Sequence, residues 1–571
     1  MSYSAHVDTF ARDNLPPREQ WPEFIFESPE FEFPARINCA SLLIDNKLAD
    51  GRGERIAIRT PEAQCNYLQL VAQANRIANV LVEDMGLEPG NRVLMPSANG
   101  PMLAACMLAV WKAGGIAVPT MPLLRARELA QVIRKARITH ALCDRRLAVE
   151  VEAARASCPV LTQVRYFHDD GPQSLDYLAT GKSADFRNVE TAGDDVALFI
   201  FTSGTSGIPK GTMHFHRDLL SVCRGFPQYI LGQTPDDILA GTPSMAFTYG
   251  LVGIFLVPMF YGASTVLIEQ YSAKALLETI KRFRVSVLYS VPTMYRAMTP
   301  MAAEHDLSSL RACVSAGEHL PVPTRAAWER ATGLKLIDGI GATEMCQIFI
   351  SASGDAIRPG ATGKPVPGYR AAVFDDAGNP VPTGTIGRLG VKGPTGCRYL
   401  ADERQKTYVM NGWNMTGDAY LVDEDGYFFY QARVDDMIVS SGYNIAAPEV
   451  ESALLGHPSV AECGVVGWPD PERGQIVKAY VVLKLGYQKS APMAKELQEH
   501  VKHSIAPYKY PRVIEFVDDL PRTGTGKLQR FKLRPPSSPA AALPAGERKE
   551  DVSQDLPGES PLAPRRTGAG S

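Results

Sequence analysis

A run of hydroxyl, glycine and lysine residues at positions 202–211, TSGTSGIPKG, follows the apolar segment VALFIF. Successive small residues let backbone N–H groups converge on an anion without obstruction by a Cβ atom. The hydroxyls add hydrogen-bond donors and the lysine adds a full positive charge, so the segment predicts a cradle for a triphosphate or a pyrophosphate. The residues assigned to this cradle are Thr202, Ser203, Gly204, Thr205, Ser206, Gly207 and Lys210.

The segment differs from the two best-known phosphate-binding loops. A Walker loop needs glycine directly before its lysine and serine or threonine directly after it. Here Pro209 precedes Lys210 and Gly211 follows it, and a second candidate, GTGK at 524–527, is followed by Leu528. The GxGxxG spacing of a dinucleotide-binding loop is also missing from GTSGIPKG. Considered alone, such a segment is equally typical of a flexible surface turn.

The elements around this loop read as alternating strands and helices. RVLMPSANG is followed by the helix-like PMLAACMLAVWKAGG and the apolar IAVP, and HALCD, ALFIFT, STVLIE and VSVLYSVP continue the alternation. This order predicts an α/β fold with largely buried strands.

The chain also divides along its length. Its 571 residues exceed the limit of about 250–300 residues for a single core. From about residue 360, AAVFDDAGNPVPTGTIGRLGVKGP predicts a β-rich subdomain, and after position 435 two helix candidates, IAAPEVESALLGHP and KELQEHVKHSI, alternate with strands. We expect a large N-terminal α/β domain of several subdomains at 1–434, a small α+β domain at 435–534, and a disordered tail at 535–571.

Composition narrows the possible partners and location. The net charge of −3, from 59 basic and 62 acidic residues, offers no basic excess for nucleic acid or an anionic membrane. Ten cysteines without CxxC or CxxH spacing predict reduced thiols and a cytoplasmic location. The N-terminal MSYSAHVDTFARDNLPPREQW lacks the apolar core of a signal peptide. The sequence does not determine an oligomeric state.

One apolar stretch needs a separate test for a membrane span. GLVGIFLVPMFYGASTVLI, at 250–268, is uncharged over 19 residues, which is long enough to cross a bilayer. Pro258, several glycines and the β-rich end STVLI interrupt it. We therefore predict a buried helix followed by a strand, and no membrane partner.

Further motifs accompany the loop in a fixed order along the chain. They are WKAGGIAVP at 111–119, SAGEHLP at 315–321, DGIGATE at 338–344, TGD at 416–418, RVDDMIVSSGYNI at 433–445 and PRTGTGK at 521–527. Over roughly residues 40–534, the set resembles the ordered motifs of the acyl-adenylate-forming superfamily. This superfamily comprises acyl- and aryl-CoA ligases, luciferases and the adenylation domains of peptide synthetases.

The resemblance implies a reaction in two half-steps. A carboxylate attacks the α-phosphorus of ATP and expels pyrophosphate, and the thiol of coenzyme A then attacks the acyl-AMP. Neither half-step needs a covalent enzyme intermediate, but both need charge neutralisation and positioning. The implied cofactors are ATP, coenzyme A and Mg²⁺, and the loop at 202–211 would hold the β- and γ-phosphates.

The family motifs also imply roles for residues outside the loop. Thr343 would bond a phosphate oxygen, and Glu344 would hold Mg²⁺, a hard ion that prefers carboxylate and phosphate oxygens. Asp418 would accept hydrogen bonds from both ribose hydroxyls, and Arg433 would bond the same ribose. The alternatives are a helix N-cap at Thr343, an Asx turn at Asp418 and a surface ion pair at Arg433. The remaining predicted nucleotide-binding residues are Ala316, Gly317, Glu318 and Asp338.

The small domain is expected to move between the half-steps. Lys527, in RTGTGK, would face the carboxylate and the α-phosphate and neutralise charge that develops during adenylation. Asp435 is the predicted hinge, and the swing would carry Lys527 away and bring the segment around Gly442 towards a pantetheine tunnel. A solvated surface lysine and a helix-capping aspartate are the alternatives for Lys527 and Asp435.

The acid pocket is predicted from two short segments. Two aromatic side chains beside narrow glycine walls suit a flat ring better than a long chain, and ordinary core packing is the alternative. The pair His214 and His216 lacks an evident third ligand for a metal, so we assign both packing and hydrogen-bonding roles. The predicted pocket residues are Phe247, Tyr249, Gly250, Gly339, Ile340 and Gly341.

Within the superfamily, the chain most resembles benzoate and 2-aminobenzoate (anthranilate) CoA ligases. KGTMHFHRDLL, DGIGATEM and AHVDTFARDNLPP carry this resemblance, and Ser206 stands where the loop often has threonine, which keeps a hydroxyl. The implied activity is an aryl-CoA ligase for a small aromatic carboxylic acid, with 2-aminobenzoate as the best single candidate. Benzoate, a medium-chain acyl acid, and an adenylating enzyme that loads a carrier protein are the alternatives.

Overall fold

The computed structural model describes residues 3–202, 209–440, 443–471, 473–522 and 528–535, and at 435, 439, 443 and 444 it describes the backbone only. Residues 203–208 of the predicted cradle, Gly442, Lys527 and the tail from 536 onward lie outside these ranges. Their assignments therefore stay predictions. The residues up to Arg534 form one compact unit.

Strands run through the described part of the chain from Ile56 to Phe516. In chain order they are β1 (Ile56–Arg59), β2 (Gln64–Asn66), β3 (Arg92–Pro96), β4 (Ile116–Thr120), β5 (His140–Asp144), β6 (Gln163–Phe167), β7 (Val196–Thr202), β8 (Lys210–Phe215), β9 (Ile238–Gly241), β10 (Ser264–Val266), β11 (Val287–Ser290), β12 (Ala312–Ala316), β13 (Leu336–Gly341), β14 (Ile348–Ser351), β15 (Lys364–Pro365), β16 (Arg370–Phe374), β17 (Gly387–Lys392), β18 (Val409–Met410), β19 (Trp413–Val422), β20 (Phe428–Arg433), β21 (Ile438–Ser440), β22 (Tyr443–Ile445), β23 (Val460–Asp470), β24 (Gly474–Leu483) and β25 (Val513–Phe516).

The longer α-helices lie between these strands. They are α1 (Tyr67–Asn79), α2 (Pro101–Lys112), α3 (Ala126–Ala136), α4 (Ala148–Ala156), α5 (Ala273–Phe283), α6 (Pro292–Met298), α7 (Val322–Thr332), α8 (Ala447–Leu455) and α9 (Ala491–Ser504).

Two largely parallel sheets form the body of the molecule. One has the order β6-β5-β3-β4-β7-β8, with only the β7–β8 pair antiparallel. The other has the order β15-β14-β13-β12-β11-β9-β10-β1-β2 and is parallel from β13 to β1. Strands β3, β4, β5 and β12 are buried along their whole length, which explains why their sequences are mostly apolar. The predicted α/β class is confirmed.

The main core lies between these two sheets. Its apolar cluster combines α1, α2 and the helical segment before β10 with side chains from both sheets, and Trp111 of α2 stacks on Phe255 with ring centroids 6.3 Å apart. Helix α1 begins with a capping box at Asn66, and α2 begins with Pro101, whose missing N–H is no loss at a first helical position.

The apolar stretch at 250–268 forms a buried helical segment followed by a strand, as predicted. Helical turns over Thr248–Leu251, Val252–Leu256 and Val257–Tyr261 end at Gly262, which has a φ of +70°, and β10 follows. No described helix is both long enough and apolar enough to cross a membrane.

Two smaller sheets follow along the chain. The order β16-β17-β19-β18, with β20 beside β19, is antiparallel and forms the predicted β-rich subdomain. The order β22-β21-β24-β23, with β25 parallel to β24, packs with α8 and α9 around a separate apolar cluster. A smaller C-terminal α+β part therefore follows the large one, as predicted, and the exact boundary at 434/435 stays a prediction.

Candidate active site

A cavity of about 920 Å³ lies where the large sheets, the β-rich subdomain and the C-terminal part meet. Chain segments that leave the carboxyl ends of β7, β12 and β13 reach it, as expected for a ligand site at the ends of parallel strands. It gathers many of the predicted site residues from distant parts of the chain. The predicted residues that line it are Thr202, Lys210, Gly317, Glu318, Asp338, Gly339, Ile340, Gly341, Thr343, Glu344, Asp418 and Arg433.

One end of the cavity carries the described ends of the predicted phosphate cradle. Thr202 and Lys210 are register partners at the ends of the antiparallel strands β7 and β8. Residues 203–208 therefore connect two strands of a hairpin, whereas a Walker loop leads from a strand into a helix. The strand pairing therefore supports the conclusion from the sequence that this is not a Walker loop.

Glu344 lies at the same end of the cavity. Its side chain is only 9% exposed, and Lys210 Nζ lies 3.4 Å from its Oε1. Tyr399 donates its hydroxyl to the same oxygen, and Lys210 Nζ lies 3.1 Å from the tyrosine oxygen. Burial, followed by the charge of Glu344, holds the pKa of Tyr399 far above its usual range, so the phenol stays a donor.

Thr343 and Glu344 lie in a turn between β13 and β14. The alternative that Thr343 caps a helix is therefore wrong. Within the described residues, no group of three or more His, Cys, Asp or Glu side chains is placed to hold a metal ion. A magnesium ion at this end would take Glu344 together with phosphate oxygens, which is the ligand pattern Mg²⁺ prefers.

Asp418 and Arg433 form a second pair of predicted residues in the cavity lining. They are register partners on β19 and β20, and Arg433 Nη1 lies 3.1 Å from Asp418 Oδ1 and 2.9 Å from the Thr416 carbonyl oxygen. Gly417 has a φ of +77°, and a Cβ atom there would lie 2.7 Å from Arg433 Nη2. The TGD motif thus needs glycine both for backbone conformation and for the close approach of the arginine. Asp418 lies within a strand, so the Asx-turn alternative is wrong.

The predicted adenine side is built from the residues after β12 and from β13. Gly317 and Glu318 line the cavity, whereas Ala316 ends β12 without lining it. Asp338 is buried, and burial raises the pKa of its carboxyl to about 7 despite Arg325 Nη2 at 3.8 Å. This carboxyl is therefore poised between its neutral and charged forms near neutral pH.

Only three of the six residues predicted to form the acid pocket line this cavity. Gly339, Ile340 and Gly341 line it, but Phe247, Tyr249 and Gly250 do not. The Tyr249 hydroxyl donates to the carbonyl oxygens of Ser290 at 2.9 Å and Val314 at 3.2 Å.

Close backbone packing explains two of the glycines in the predicted pocket. A Cβ atom on Gly250 would lie 2.2 Å from the Ser244 carbonyl oxygen, and one on Gly341 would lie 2.6 Å from that of Gln347. This agrees with the packing alternative for Gly250 and makes Gly341 a structural requirement of the cavity wall.

His214 and His216 are fully buried, the first in β8 and the second at the start of a short helix. Burial lowers the pKa of each imidazole to about 3, so both are neutral. Their surroundings support the packing role predicted for them.

The C-terminal part closes one side of the cavity. Arg522 and Leu528 pair as an antiparallel bridge, and both line the cavity on either side of the segment that contains Lys527. The backbone of Asp435 lies in a short 3₁₀ turn, Val434–Asp436, between β20 and β21. The hinge role of Asp435 stays a prediction.

Several cavity residues had no sequence signal. Tyr399 follows no motif, and its contacts with Lys210 and Glu344 arise from a bridge that pairs it with Thr212 of β8. His319 stacks on Tyr430 with ring centroids 5.2 Å apart, and both line the cavity. His319 lies inside SAGEHLP, so its motif was visible although its stacking partner was not.

Two family models and several relatives match most of the chain. The model of the AMP-binding enzyme matches residues 46–399, and that of the AMP-binding enzyme C-terminal domain matches residues 449–527. The chain is 36% identical over 512 residues to the benzoate–CoA ligase of Thauera aromatica, covering 89% of this chain and 97% of that protein.

Two solved structures are similar along most of the chain. The anthranilate CoA ligase AuaEII in complex with anthranoyl-AMP has a TM-score of 0.85 at 34% identity, covering 89% of this chain and 98% of that one. The benzoate CoA ligase from Burkholderia xenovorans LB400 has a TM-score of 0.80 at 31% identity, covering 87% and 100%. The chain therefore belongs to the AMP-binding enzyme family, as one of its acyl- and aryl-CoA ligases.

Proposed function

We propose that this enzyme is an ATP-dependent aryl-CoA ligase that forms an aryl-AMP intermediate, with 2-aminobenzoate as its preferred acid. The observation that carries the proposal is the arrangement along one cavity. The cation Lys210, the carboxylate Glu344, the Asp418–Arg433 pair and the end of β13 all line this one cavity.

In the first half-step, a carboxylate oxygen of the acid attacks the α-phosphorus of ATP. A new oxygen–phosphorus bond forms, the bond to the β-phosphate oxygen breaks, and pyrophosphate leaves. Lys210 balances negative charge on the leaving group, with Thr202 and Thr343 as hydroxyl donors beside it. Asp418 and Arg433 hold the ribose.

Magnesium would be held by Glu344 and phosphate oxygens, and it would offset charge on the pyrophosphate. Tyr399 orients the carboxylate by donating to Oε1, which leaves Oε2 for a further partner. Because the described residues hold no group of three or more metal-binding side chains, this arrangement fits a metal that arrives with its nucleotide.

In the second half-step, the coenzyme A thiol attacks the acyl carbon, and AMP leaves. The role of Lys527 in the first half-step is supported by its neighbours in the chain, since Arg522 and Leu528 both line the cavity. Gly442 is proposed to face the pantetheine arm in the second half-step.

The choice of acid rests on the relatives and on the narrow cavity wall. AuaEII and the Burkholderia enzyme are named for anthranilate and benzoate, and their similarity to this chain extends over almost all of their own length. Gly339 and Gly341, on either side of Ile340 in β13, add no side-chain volume to the cavity wall, which suits a flat ring. We also propose that the enzyme is cytoplasmic and that its partners are small molecules. All ten cysteines are unpaired, which supports a reducing compartment.

The proposal is tested by a panel of acids in one assay. Purified enzyme is incubated with ATP, Mg²⁺ and free coenzyme A, and pyrophosphate and acyl-CoA are measured for 2-aminobenzoate, benzoate and octanoate. We expect both products in equal amounts, with 2-aminobenzoate giving the highest kcat/KM. A preference for octanoate would refute the aryl assignment. Pyrophosphate release without acyl-CoA would favour an enzyme that loads a carrier protein.

A further inference from the structure

One carboxylate of the C-terminal part contacts two arginines from different parts of the chain. Oε1 of Glu462, on β23, lies 3.4 Å from Arg296 Nη2 of α6. Its Oε2 accepts a hydrogen bond from Arg522 Nη2 at 2.6 Å. Each carboxylate oxygen thus contacts one arginine. Arg522 lies five positions before Lys527 in the sequence.

The contact with Arg296 differs from the other ion pairs of the C-terminal part. Arg530 pairs with Glu451 at 2.7 Å, and Lys478 pairs with Glu515 at 2.9 Å, so these residues after position 434 pair with each other. Considering the described residues alone, Arg296–Glu462 is the ion pair that joins residues before the predicted hinge to residues after it.

We propose that Glu462 is a positioning residue that holds the C-terminal part against the large part, at Arg296, during the first half-step. The proposal rests on the proposed function and adds a residue to it. Arg296 and Arg522 both line the cavity. Arg522 also pairs with Leu528 in an antiparallel bridge, so Glu462 helps to hold the two described residues that flank Lys527 in the sequence.

The two contacts respond differently to a movement of the C-terminal part. Glu462 and Arg522 lie in the same part and stay together when it turns at residue 435. Arg296 lies in the large part, so the same turn separates it from Glu462. A contact that exists in only one of two orientations shifts the population towards that orientation by its own free energy.

The strength of the Arg296–Glu462 ion pair depends on how far its side chains are exposed to water. The side chains of Arg296, Glu462 and Arg522 are 28%, 32% and 26% exposed. Ion pairs in contact with water have modest strengths, corresponding to a shift of about two- to fivefold in an equilibrium. Such a contact favours one orientation without locking it, which suits an enzyme that must change orientation in every turnover.

The test measures the two half-reactions separately in Glu462→Gln. The first is 2-aminobenzoate-dependent exchange between ATP and pyrophosphate, and the second is thioester formation from pre-made 2-aminobenzoyl-AMP and coenzyme A. We expect the exchange rate to fall about two- to fivefold while the thioester rate is unchanged or higher. The ratio of the two rates is independent of the folded fraction, so partial unfolding does not imitate this result.

Two further variants isolate the contact. Arg296→Gln removes only the contact between the two parts, so it should lower the ratio of exchange rate to thioester rate, but by no more than Glu462→Gln does. The double variant should lower this ratio no further than Glu462→Gln alone. Glu515→Gln, the same substitution on a glutamate that pairs with Lys478, should leave both rates unchanged.

Equal loss in both half-reactions, or an unchanged exchange rate in Glu462→Gln, would overturn the assignment of Glu462 while the proposed function stands. A wild-type enzyme without either half-reaction on aromatic acids would instead overturn the proposed function, and this assignment with it.

Discussion

Lys210 and Glu344 are 134 positions apart in the chain, yet Lys210 Nζ lies 3.4 Å from Glu344 Oε1 at the end of the cavity. Tyr399 contacts both, since its hydroxyl donates to Glu344 and accepts from Lys210. The three side chains come from β8, from the turn after β13 and from the segment before β18. The fold therefore brings together a cation and a carboxylate, which we propose bind a phosphate and a metal ion respectively.

Replacing Lys210 should impair the first half-step. In Lys210→Ala, the charge opposite the leaving pyrophosphate is lost, and we expect ATP–pyrophosphate exchange to fall about 10²–10³-fold. Lys335→Ala, at an exposed lysine that pairs with Asp355, is the matched control. A loss below threefold in Lys210→Ala would contradict a role in phosphate binding.

Replacing Lys527 should separate the two half-steps. We expect Lys527→Ala to abolish carboxylate-dependent exchange and to leave thioester formation from pre-made acyl-AMP largely intact, because the lysine acts only where charge develops during adenylation. Stopped-time assays of each half-step measure this. An equal loss in both would refute the two orientations proposed for the C-terminal part.

Asp418 and Arg433 should act as one unit in nucleotide binding. Asp418→Asn removes a charged hydrogen-bond acceptor, and the typical value of about 1.5–3 kcal/mol for such a bond corresponds to a rise of about 10- to 100-fold in the KM for ATP. Arg433→Gln should have a similar effect. Because the side chains are in contact, the double variant should be clearly less impaired than the sum of the two changes. Strict additivity would indicate that the residues act on separate ligands.

Asp338 should make stability depend on pH. Its folded pKa of about 7 exceeds the value of about 3.9 for an unfolded aspartate, so the folded protein holds this proton more tightly. Its stabilising contribution is complete below about pH 4 and is lost as the pH rises towards 7, with a slope of up to about 1.4 kcal/mol per pH unit.

Denaturant unfolding of wild type and Asp338→Asn between pH 5 and 9 measures this effect. The free energy of unfolding of the wild type, relative to the variant, should fall from pH 5 to 7 and then level off. Asparagine does not titrate, so a difference that is constant with pH would show that Asp338 titrates normally in the folded protein.

The sequence by itself determined the order of the elements and most of the chemistry. Alternating apolar segments predicted the buried parallel strands, because a strand covered on both faces must be apolar along its length. The cradle at 202–211, the TE pair at 343–344 and TGD at 416–418 were visible because each depends on residue types at fixed local spacing. Such local motifs can be recognised in the sequence without knowledge of the tertiary structure.

Only the tertiary structure decided which side chains meet across long separations. Tyr399 reaches Lys210 and Glu344 through strand pairing, and Arg296 reaches Glu462 through packing between the large and small parts. The tertiary structure also explains two residues that the sequence analysis had singled out. Gly250 is glycine because the Ser244 carbonyl occupies the space of a Cβ atom, and Asp338 has a raised pKa because it is buried. Contact and burial depend on distant residues, which no local pattern encodes.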